Sequence, residues 1–164
     1  MKLISCKIEQ LSIVINLTKQ IWPIAYGQIL SKSQLDYMID TFYNETALRK
    51  QIEDKGHVFY LAQDDKDNYV GFVSYEINCE PHKTKIHKIY VLPETQGTGV
   101  GKQLFTLVCA NAKKENQTVV FLNVNKYNKA KQFYERLGFV ITKEEVIDIG
   151  KNYIMDDYVM EVKV

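Results

Sequence analysis

The hydrophobic positions of this 164-residue chain repeat with two different periods, and each period predicts a type of element. Apolar residues recur every three or four positions from Leu11 to Trp22, which predicts an amphipathic helix that ends before Pro23. β-branched and aromatic residues dominate 58–62 and 69–77 instead, and the polar run 64–68 between them predicts a β-hairpin. The pattern therefore indicates a protein of the mixed α/β class.

The rest of the chain continues this mixture of helices and strands. Ser33 and Asn44 each precede a short helical pattern, as expected of residues that cap a helix N-terminus. Apolar residues follow the helical period again over 127–137, and Gly138 is placed to end that helix in a left-handed conformation. Further strands are predicted at 3–8, 83–92, 119–124, 140–147 and 153–162, with the last two joined through Gly150. No internal repeat or linker interrupts this order, so a single domain over 1–164 is expected.

A glycine-rich loop joins one predicted strand to a long amphipathic helix. Three glycines in five positions, Gly97, Gly99 and Gly101, let the backbone approach a ligand closely. The unpaired N–H groups of the first helical turn favour an anion such as a phosphate at this point. A dinucleotide fingerprint would need glycine at Lys102, and a nucleotide P-loop would need Ser or Thr at Gln103, so neither of these motifs is present.

Two sequence motifs together resemble the Gcn5-related N-acetyltransferase (GNAT) family. The first is Gln-x-x-Gly-x-Gly at 96–101, directly after a strand that ends Tyr-Val-Leu-Pro at 90–93. The second is Ala-x-x-Phe-Tyr-x-x-x-Gly-Phe at 130–139, which follows the predicted strand 119–124. Each motif alone is weak, but their joint occurrence in the family's order and separation is specific.

The resemblance implies a fold, a cosubstrate and an activity. It implies a mixed, largely antiparallel sheet of six to seven strands with helices on both faces. The strands before and after the long helix are expected to part at 89–92 and 122–124, so that the pantetheine arm of acetyl-CoA pairs with their free backbone groups. The activity implied is N-acetyltransfer from acetyl-CoA to a primary amine by direct attack in a ternary complex, without a metal. Residues expected to bind acetyl-CoA are Tyr90, Val91, Leu92, Gln96, Gly97, Thr98, Gly99, Val100, Gly101, Lys102 and Phe133, with Asn125 and Asn128 competing for one family position.

Acyl transfer to an amine needs one group that takes a proton from the amine and another that protonates the departing thiolate. Tyr134 matches the family's helix tyrosine and suits the second task, because a phenol with a pKa of about 10 is protonated at neutral pH. Family members often carry a carboxylate on the strand before the loop, where this chain has Lys85 and His87. His87 is the candidate base, because the ordinary pKa of imidazole is about 6.5. Glu76 and a water path to solvent are the alternatives.

The acceptor-binding region of the family corresponds to the segment after the first helix and to the last hairpin. Trp22, Tyr26 and Glu76 are predicted to contact substrate, since aromatic rings can surround an ammonium group, although Trp22 equally suits the core. The segment 22–52 resembles that of the polyamine-acetylating branch, so a small-molecule amine, with polyamines among the candidates, is expected. Asp156 and Asp157 are expected to be solvated residues of the hairpin, and the alternative is that they line the acceptor pocket.

Composition and charge narrow the class of partner. With 21 Lys and Arg against 20 Asp and Glu, the net charge is +1, so the basic surface that nucleic acid or an anionic membrane would require is absent. Cys6, Cys79 and Cys109 are widely spaced, which favours reduced thiols in a cytoplasmic protein. No apolar run approaches the length of a membrane span, and 11–17 lacks the features of a signal peptide.

Other functions fit the same motifs. A GNAT-fold sensor that binds acyl-CoA without turnover, a peptide or protein N-terminal acetyltransferase, and a nucleotide-binding domain using 96–102 are the alternatives. The sequence leaves open the acceptor, the acyl-chain preference, the general base and the oligomeric state, a homodimer included.

Overall fold

A computed structural model describes every residue from Met1 to Val164, and its seven strands form one sheet. The strands are β1 (Lys2–Ser5), β2 (Val58–Gln63), β3 (Tyr69–Glu80), β4 (Lys83–Val91), β5 (Val119–Asn125), β6 (Val140–Gly150) and β7 (Tyr153–Lys163). The helices are α1 (Leu11–Tyr26), α2 (Lys32–Phe42), α3 (Glu45–Glu53), α4 (Val100–Lys114) and α5 (Ala130–Arg136). None of these helices is long and apolar enough to cross a bilayer.

The sheet has the order β1-β2-β3-β4-β5-β7-β6, and all neighbouring pairs are antiparallel except β4 and β5. The parallel pairing of β4 with β5 extends only from Lys83–Val119 to Ile86–Leu122. Beyond Ile86, β4 remains paired with β3 as far as Val91, and β5 remains paired with β7 as far as Asn125. The two central strands therefore part at their carboxyl ends, as the family resemblance implied.

Helices cover both faces of this sheet. Side chains alternate between the faces along a strand, so Phe72 and Tyr75 of β3 point to opposite sides. Phe72 lies against Tyr90, whose ring packs on Trp22 of α1. Tyr75 accepts a hydrogen bond of 2.8 Å from the amide of Asn111 on α4. The prediction of a mixed, largely antiparallel sheet with helices on both faces is confirmed.

The core is one continuous cluster of 30 buried residues drawn from helices and strands alike. Leu104, Val108 and Ala112 show why α4 docks on the sheet: they stand four positions apart on one helix face, and each is fully buried. Full burial of an aliphatic side chain stabilises the fold by roughly 1.5–3 kcal/mol. The periodicity that predicts this helix therefore also gives its orientation.

Helix α1 does not end before Pro23, as the sequence predicted, but continues through it to Tyr26. Proline in a helix interior loses one hydrogen bond and typically costs about 3 kcal/mol. Trp22 and Tyr26 lie on either side of it and are both buried, at 4% and 6% exposure. Burial of these two large rings offsets the lost bond, which a local rule about proline does not take into account.

Three smaller predictions also differ from the structure. Ser33 lies inside α2, and the residue that caps this helix is Ser31, whose side chain accepts from the N–H of Gln34. Helix α5 begins at Ala130 rather than at Tyr127, whose side chain is 74% exposed and belongs to a turn. The last hairpin turns through Lys151 and Asn152, whose φ angles are 52° and 63°, while Gly150 ends β6. Two successive left-handed residues are typical of the tight turns whose twist matches that of β-strands.

Candidate active site

The glycine loop has the shape of an open cradle at the N-terminus of α4. Gly97 and Gly99 adopt left-handed φ angles of 81° and 88°, and a β-carbon added to either residue would meet no atom within 4 Å. The first intrahelical hydrogen bond runs from the N–H of Gln103 to the carbonyl of Gly99, at 3.0 Å. The three N–H groups of 100–102 therefore have no hydrogen-bond partner in the protein, as an anion-binding turn requires.

Gly101 has a different role in the same loop. A β-carbon at Gly101 would lie 3.0 Å from the ring of Phe133, so glycine lets the first turn of α4 approach α5 closely. Phe133 is half-buried and touches Tyr134 with ring centroids 5.4 Å apart. The two motifs that carry the family resemblance are thus in direct contact in the fold.

The gap between β4 and β5 exposes the edges of both strands. The Tyr90 ring lies on the α1 face of the sheet, where its hydroxyl bonds that of Tyr26 at 3.0 Å. A contribution of Tyr90 to cofactor binding stays a prediction. Val91 is half-buried and Leu92 is 9% exposed, so both line the fold beside the loop.

Tyr134 lies on α5, the helix that follows β5, with 8% of its surface exposed. Its ring packs edge-on against Phe139, with centroids 5.7 Å apart, and its hydroxyl makes no hydrogen bond within the protein. Burial raises the pKa of the Tyr134 phenol well above 10, and the nearby Tyr26 adds to the effect. The phenol is therefore a proton donor at every physiological pH.

The two asparagines that compete for one family position are both used in the turn between β5 and α5. The side-chain oxygen of Asn125 accepts from the N–H of Tyr127, and that of Asn128 accepts from the N–H of Ala130, each at 2.9 Å. Burial raises the pKa of the Tyr26 hydroxyl, and the side chain of Asn128, which lies beside that hydroxyl, lowers it. A contact of either asparagine with acetyl-CoA stays a prediction.

Trp22 and Tyr26, the predicted substrate residues on α1, belong to a buried aromatic cluster. The ring centroid of Trp22 lies 4.8 Å from that of Tyr26, 5.1 Å from that of Tyr43 and 5.8 Å from that of Tyr90. The Trp22 ring is thus part of the core, where it supports its neighbours. The Tyr26 hydroxyl remains the part of this cluster that points toward Tyr134 and Asn128.

His87 and Glu76, the two candidate bases, form one hydrogen-bonded unit. Nε2 of His87 lies 2.8 Å from Oε2 of Glu76, and Nε2 of the buried His57 lies 3.3 Å from the same oxygen. Burial lowers the pKa of His87 to about 2, and the charges of His57 and of nearby lysines add to this effect. His87 is therefore neutral across the physiological range and does not have the pKa near 6.5 that the sequence suggested.

These three side chains do not form a convincing metal centre. The rings of His57 and His87 are stacked, with centroids 3.9 Å apart and planes inclined by 15°. Because the two planes are nearly parallel, they meet only far from the rings, so the in-plane nitrogen lone pairs cannot converge on one ion without rotation of a ring. Burial lowers the pKa of His57 to about 4, and the nearby Lys88, Lys55 and Lys85 add to this effect.

Lys88 is the buried neighbour of this cluster on β4. It is 8% exposed, donates to Oε1 of Gln51 at 2.7 Å and lies 5.3 Å and 5.6 Å from the ring centroids of Tyr43 and Phe59. Burial lowers its pKa to about 7, and Lys55 and Lys85 contribute. The sequence pattern did not mark this residue, because its burial depends on three separate elements.

Asp157 is less exposed than the sequence predicted. It was expected to be solvated, but it is 5% exposed, opposite Asn125 of β5 and Glu145 of β6. The hairpin turn is distant from it, and the last paired strands of the sheet enclose it. Asp156 differs, because it is half-buried and its carboxylate pairs with Lys126 at 2.9 Å.

Comparison with known proteins agrees with this geometry. The family model described as an acetyltransferase (GNAT) domain matches residues 28–155. A protein from Lactobacillus delbrueckii subsp. lactis, described as an uncharacterized N-acetyltransferase, is 24% identical over 156 residues, which cover 91% of this chain and 90% of that relative.

Solved structures share the whole fold. The PaiA N-acetyltransferase from Thermoplasma acidophilum, in complex with coenzyme A, superposes with a TM-score of 0.82 at 24% identity and covers 100% of both chains. A chimera of the spermidine N-acetyltransferase SpeG from Vibrio cholerae gives a TM-score of 0.68 at 24% identity, over 99% of this chain and 96% of the other. The family match over most of the length, together with the cradle and the parted strands, leads to one conclusion: the chain belongs to the GNAT family of acetyl-CoA-dependent N-acetyltransferases.

Proposed function

We propose that the protein acetylates a primary amine of a small cationic molecule, polyamines among them, by direct attack on acetyl-CoA in a ternary complex. The observation that carries this proposal is the presence in one fold of three features that acetyl transfer needs. The N–H groups at the start of α4 are unpaired, the pairing of β4 with β5 stops at Ile86 and Leu122, and the phenol of Tyr134 on the helix after β5 is buried.

The fit of acetyl-CoA rests on features that the fold would otherwise not need. The left-handed Gly97 and Gly99 leave empty space over the N–H groups of 100–102, where a pyrophosphate would be held. The β5-facing edge of β4 beyond Ile86 has free backbone groups for the amides of the pantetheine arm. Bound there, acetyl-CoA supplies the activated acetyl thioester.

Tyr134 performs the acid step in this proposal. Its phenol is protonated and free of hydrogen bonds within the protein, so it can donate to the sulfur that departs as a thiolate. Burial excludes water from the same place and strengthens the hydrogen bond to a developing negative charge.

The preference for a cationic acceptor is supported by carboxylates on the α1 face beside the gap. The amide of Asn123 donates to Oε2 of Glu145 at 2.7 Å and lies 3.4 Å from Oδ2 of Asp157. The carboxylates of Glu145 and Asp157 thus share one neutral partner, the amide of Asn123, and their negative charge would attract a cationic acceptor. The structural relatives include a protein named for acetylating spermidine, which has the same chemical class.

The test is a thiol-release assay with acetyl-CoA and a panel of amines at neutral pH. The panel contains spermidine, small monoamines, amino acids and peptides with free N-termini. We expect release of coenzyme A with at least one small cationic amine, and confirmation of the acetylated product by mass spectrometry. Turnover with peptides alone would move the acceptor to the peptide class. Tight binding of acetyl-CoA without turnover of any amine would favour the sensor and overturn the proposal.

A further inference from the structure

One oxygen of the buried carboxylate Asp157 has no hydrogen-bond partner in the protein. Oδ2 faces the amide of Asn123 at 3.4 Å, whereas Oδ1 is fully buried and receives no donor. A buried acceptor without a donor typically costs roughly 1–3 kcal/mol, and more when it is charged. A ligand with a hydrogen-bond donor at this position would satisfy Oδ1 of Asp157 and remove this cost.

The position of Asp157 places this oxygen beside the reaction path. Asp157 is directly opposite Asn125, three positions beyond Leu122, where the pairing of β4 with β5 ends. The Asp157 carboxylate is close enough to Tyr26 to raise the pKa of its hydroxyl, and Tyr26 is close enough to Tyr134 to raise the pKa of that phenol. The carboxylate, the two phenols and the parted strands therefore surround one region.

From this arrangement we infer that Asp157 binds the ammonium group of the acceptor amine and accepts a proton from it. The inference rests on the proposed acetyl transfer and names the base that the sequence left open. The general base is then on β7, on the far side of β5 from the His87–Glu76 unit of β4 and β3.

The steps balance in protons and bonds. Asp157 takes one proton from the ammonium group, which leaves a neutral amine with a free electron pair. That nitrogen forms a bond to the acetyl carbonyl carbon, and the carbon–sulfur bond breaks. Tyr134 protonates the departing thiolate and regains a proton from the acetylated nitrogen, while the proton on Asp157 passes to solvent with product release.

Every charged group that faces Asp157 bears on its suitability as a base. Burial raises the pKa of the Asp157 carboxyl; the hydrogen bond from Asn123 lowers it, Glu145 and Asp156 raise it, and Lys85 of β4 lowers it. Tyr26 from α1 is neutral at physiological pH, since its pKa is raised by burial. The carboxylate is thus more basic than an exposed one, yet Lys85 helps to keep it ionised.

Asp157→Asn and Asp156→Asn form a matched pair for the test, because they are adjacent carboxylates and Oδ1 of each is buried without a hydrogen bond. They differ in charge pairing, since Oδ1 of Asp156 lies 2.9 Å from Nζ of Lys126 and Asp157 has no ion-pair partner. With the amine that wild type acetylates best, we expect kcat/KM at neutral pH to fall at least about 100-fold in Asp157→Asn, the size typical of a lost general base. Asp156→Asn should stay within a few-fold of wild type. Coenzyme A affinity, measured by calorimetry, should be unchanged in both variants.

Hydroxylamine, which is largely neutral at neutral pH, separates proton transfer from a structural effect. An acceptor that needs no deprotonation should lose much less activity in Asp157→Asn than the cationic amine does. Thermal unfolding of the variant without ligand should occur at the wild-type temperature or above it, because an isosteric neutral side chain removes a charge that burial disfavours.

Equal losses with hydroxylamine and with the cationic amine, or equal losses in both variants, would overturn the role of Asp157. An Asp157→Asn variant with wild-type kcat/KM would overturn it too. If wild type acetylates no amine at all, the proposed function fails first, and the two failures are therefore distinguishable.

Discussion

Replacing Gly99 with alanine should weaken coenzyme A binding far more than it weakens the fold. Gly99 has a φ angle of 88°, and an L-residue forced into the left-handed region typically costs roughly 1–2 kcal/mol. Without ligand, the exposed loop relieves this strain by shifting its backbone. With ligand, the N–H groups of 100–102 must point together at the pyrophosphate, so the strain returns and the new β-carbon enters the space that the ligand needs.

The expected magnitudes follow from the backbone strain at position 99 and from the ligand space that the new β-carbon occupies. A loss of 1.4 kcal/mol is tenfold in affinity, so the Kd for coenzyme A should rise at least about tenfold in Gly99→Ala. The unfolding temperature should fall by only a few degrees, because for a chain of this size each kcal/mol corresponds to about 2–4 °C. Calorimetric titration and thermal unfolding measure the two quantities on the same samples.

Gly56 supplies the matched control. It has a left-handed φ of 69°, and an added β-carbon would also meet no atom within 4 Å, but it lies in the connection between α3 and β2. Gly56→Ala should therefore lower the unfolding temperature by a similar amount and leave the coenzyme A Kd unchanged. A folded Gly99→Ala variant with wild-type affinity would refute the assignment of the cradle, and so would an equal loss of affinity in both variants.

Three further predictions follow from the site. Tyr134→Phe should keep coenzyme A affinity and slow the chemical step about 10²–10⁴-fold in single-turnover measurements, and an unchanged rate would reduce Tyr134 to packing. Since the pKa of His87 is about 2, His87→Ala should leave the shape of the pH–kcat/KM profile between pH 5 and 8 unchanged; loss of a limb near 6.5 in the variant would show that His87 titrates there. The pKa of Lys88 falls from 10.5 to about 7 on folding, so between these values the unfolded state binds more protons and Lys88 makes stability rise with pH. Denaturant midpoints at pH 7 and 9 should show a larger rise for wild type than for Lys88→Met, and equal rises would contradict the buried-lysine assignment.

The parts of the fold that sequence reasoning predicted are those encoded locally. Gly99 and Gly138 adopt left-handed φ angles of 88° and 97°, because only glycine does so without strain where a loop enters a helix or a helix ends. The face of α4 follows from a spacing of four, as Leu104 and Val108 show. Each of these features depends on residues that are neighbours in the sequence.

The predictions that failed depend on residues far apart in the sequence. Pro23 should end a helix by its own chemistry, yet the burial of Trp22 and Tyr26 against strands more than forty residues away overrides it. His87 seemed a base with an ordinary imidazole pKa because its strand alone does not reveal His57 stacked on it. In both cases tertiary packing decides what the local pattern leaves open.

Asp157 illustrates the same limit at the level of chemistry. A charged pair beside a turn usually means solvent exposure, and for Asp156 the expectation is close to correct, since it pairs with Lys126. Asp157 is buried only because the order β5-β7-β6 places its strand inside the sheet, between two neighbours that are distant in sequence.

The distribution of charge across the gap gives this placement a physical reason. By the family resemblance, β4 carries Lys85 and His87 where many family members carry an acidic base, and Lys88 follows directly. A carboxylate on β4 itself would be held ionised by the two lysines and would be a weak base. On β7, burial raises the pKa of the Asp157 carboxyl, and the neighbouring Glu145 and Asp156 add to this effect. On our proposal the base is therefore on the strand where burial and like charge increase its basicity, and Lys85 of β4 helps to keep it ionised between turnovers.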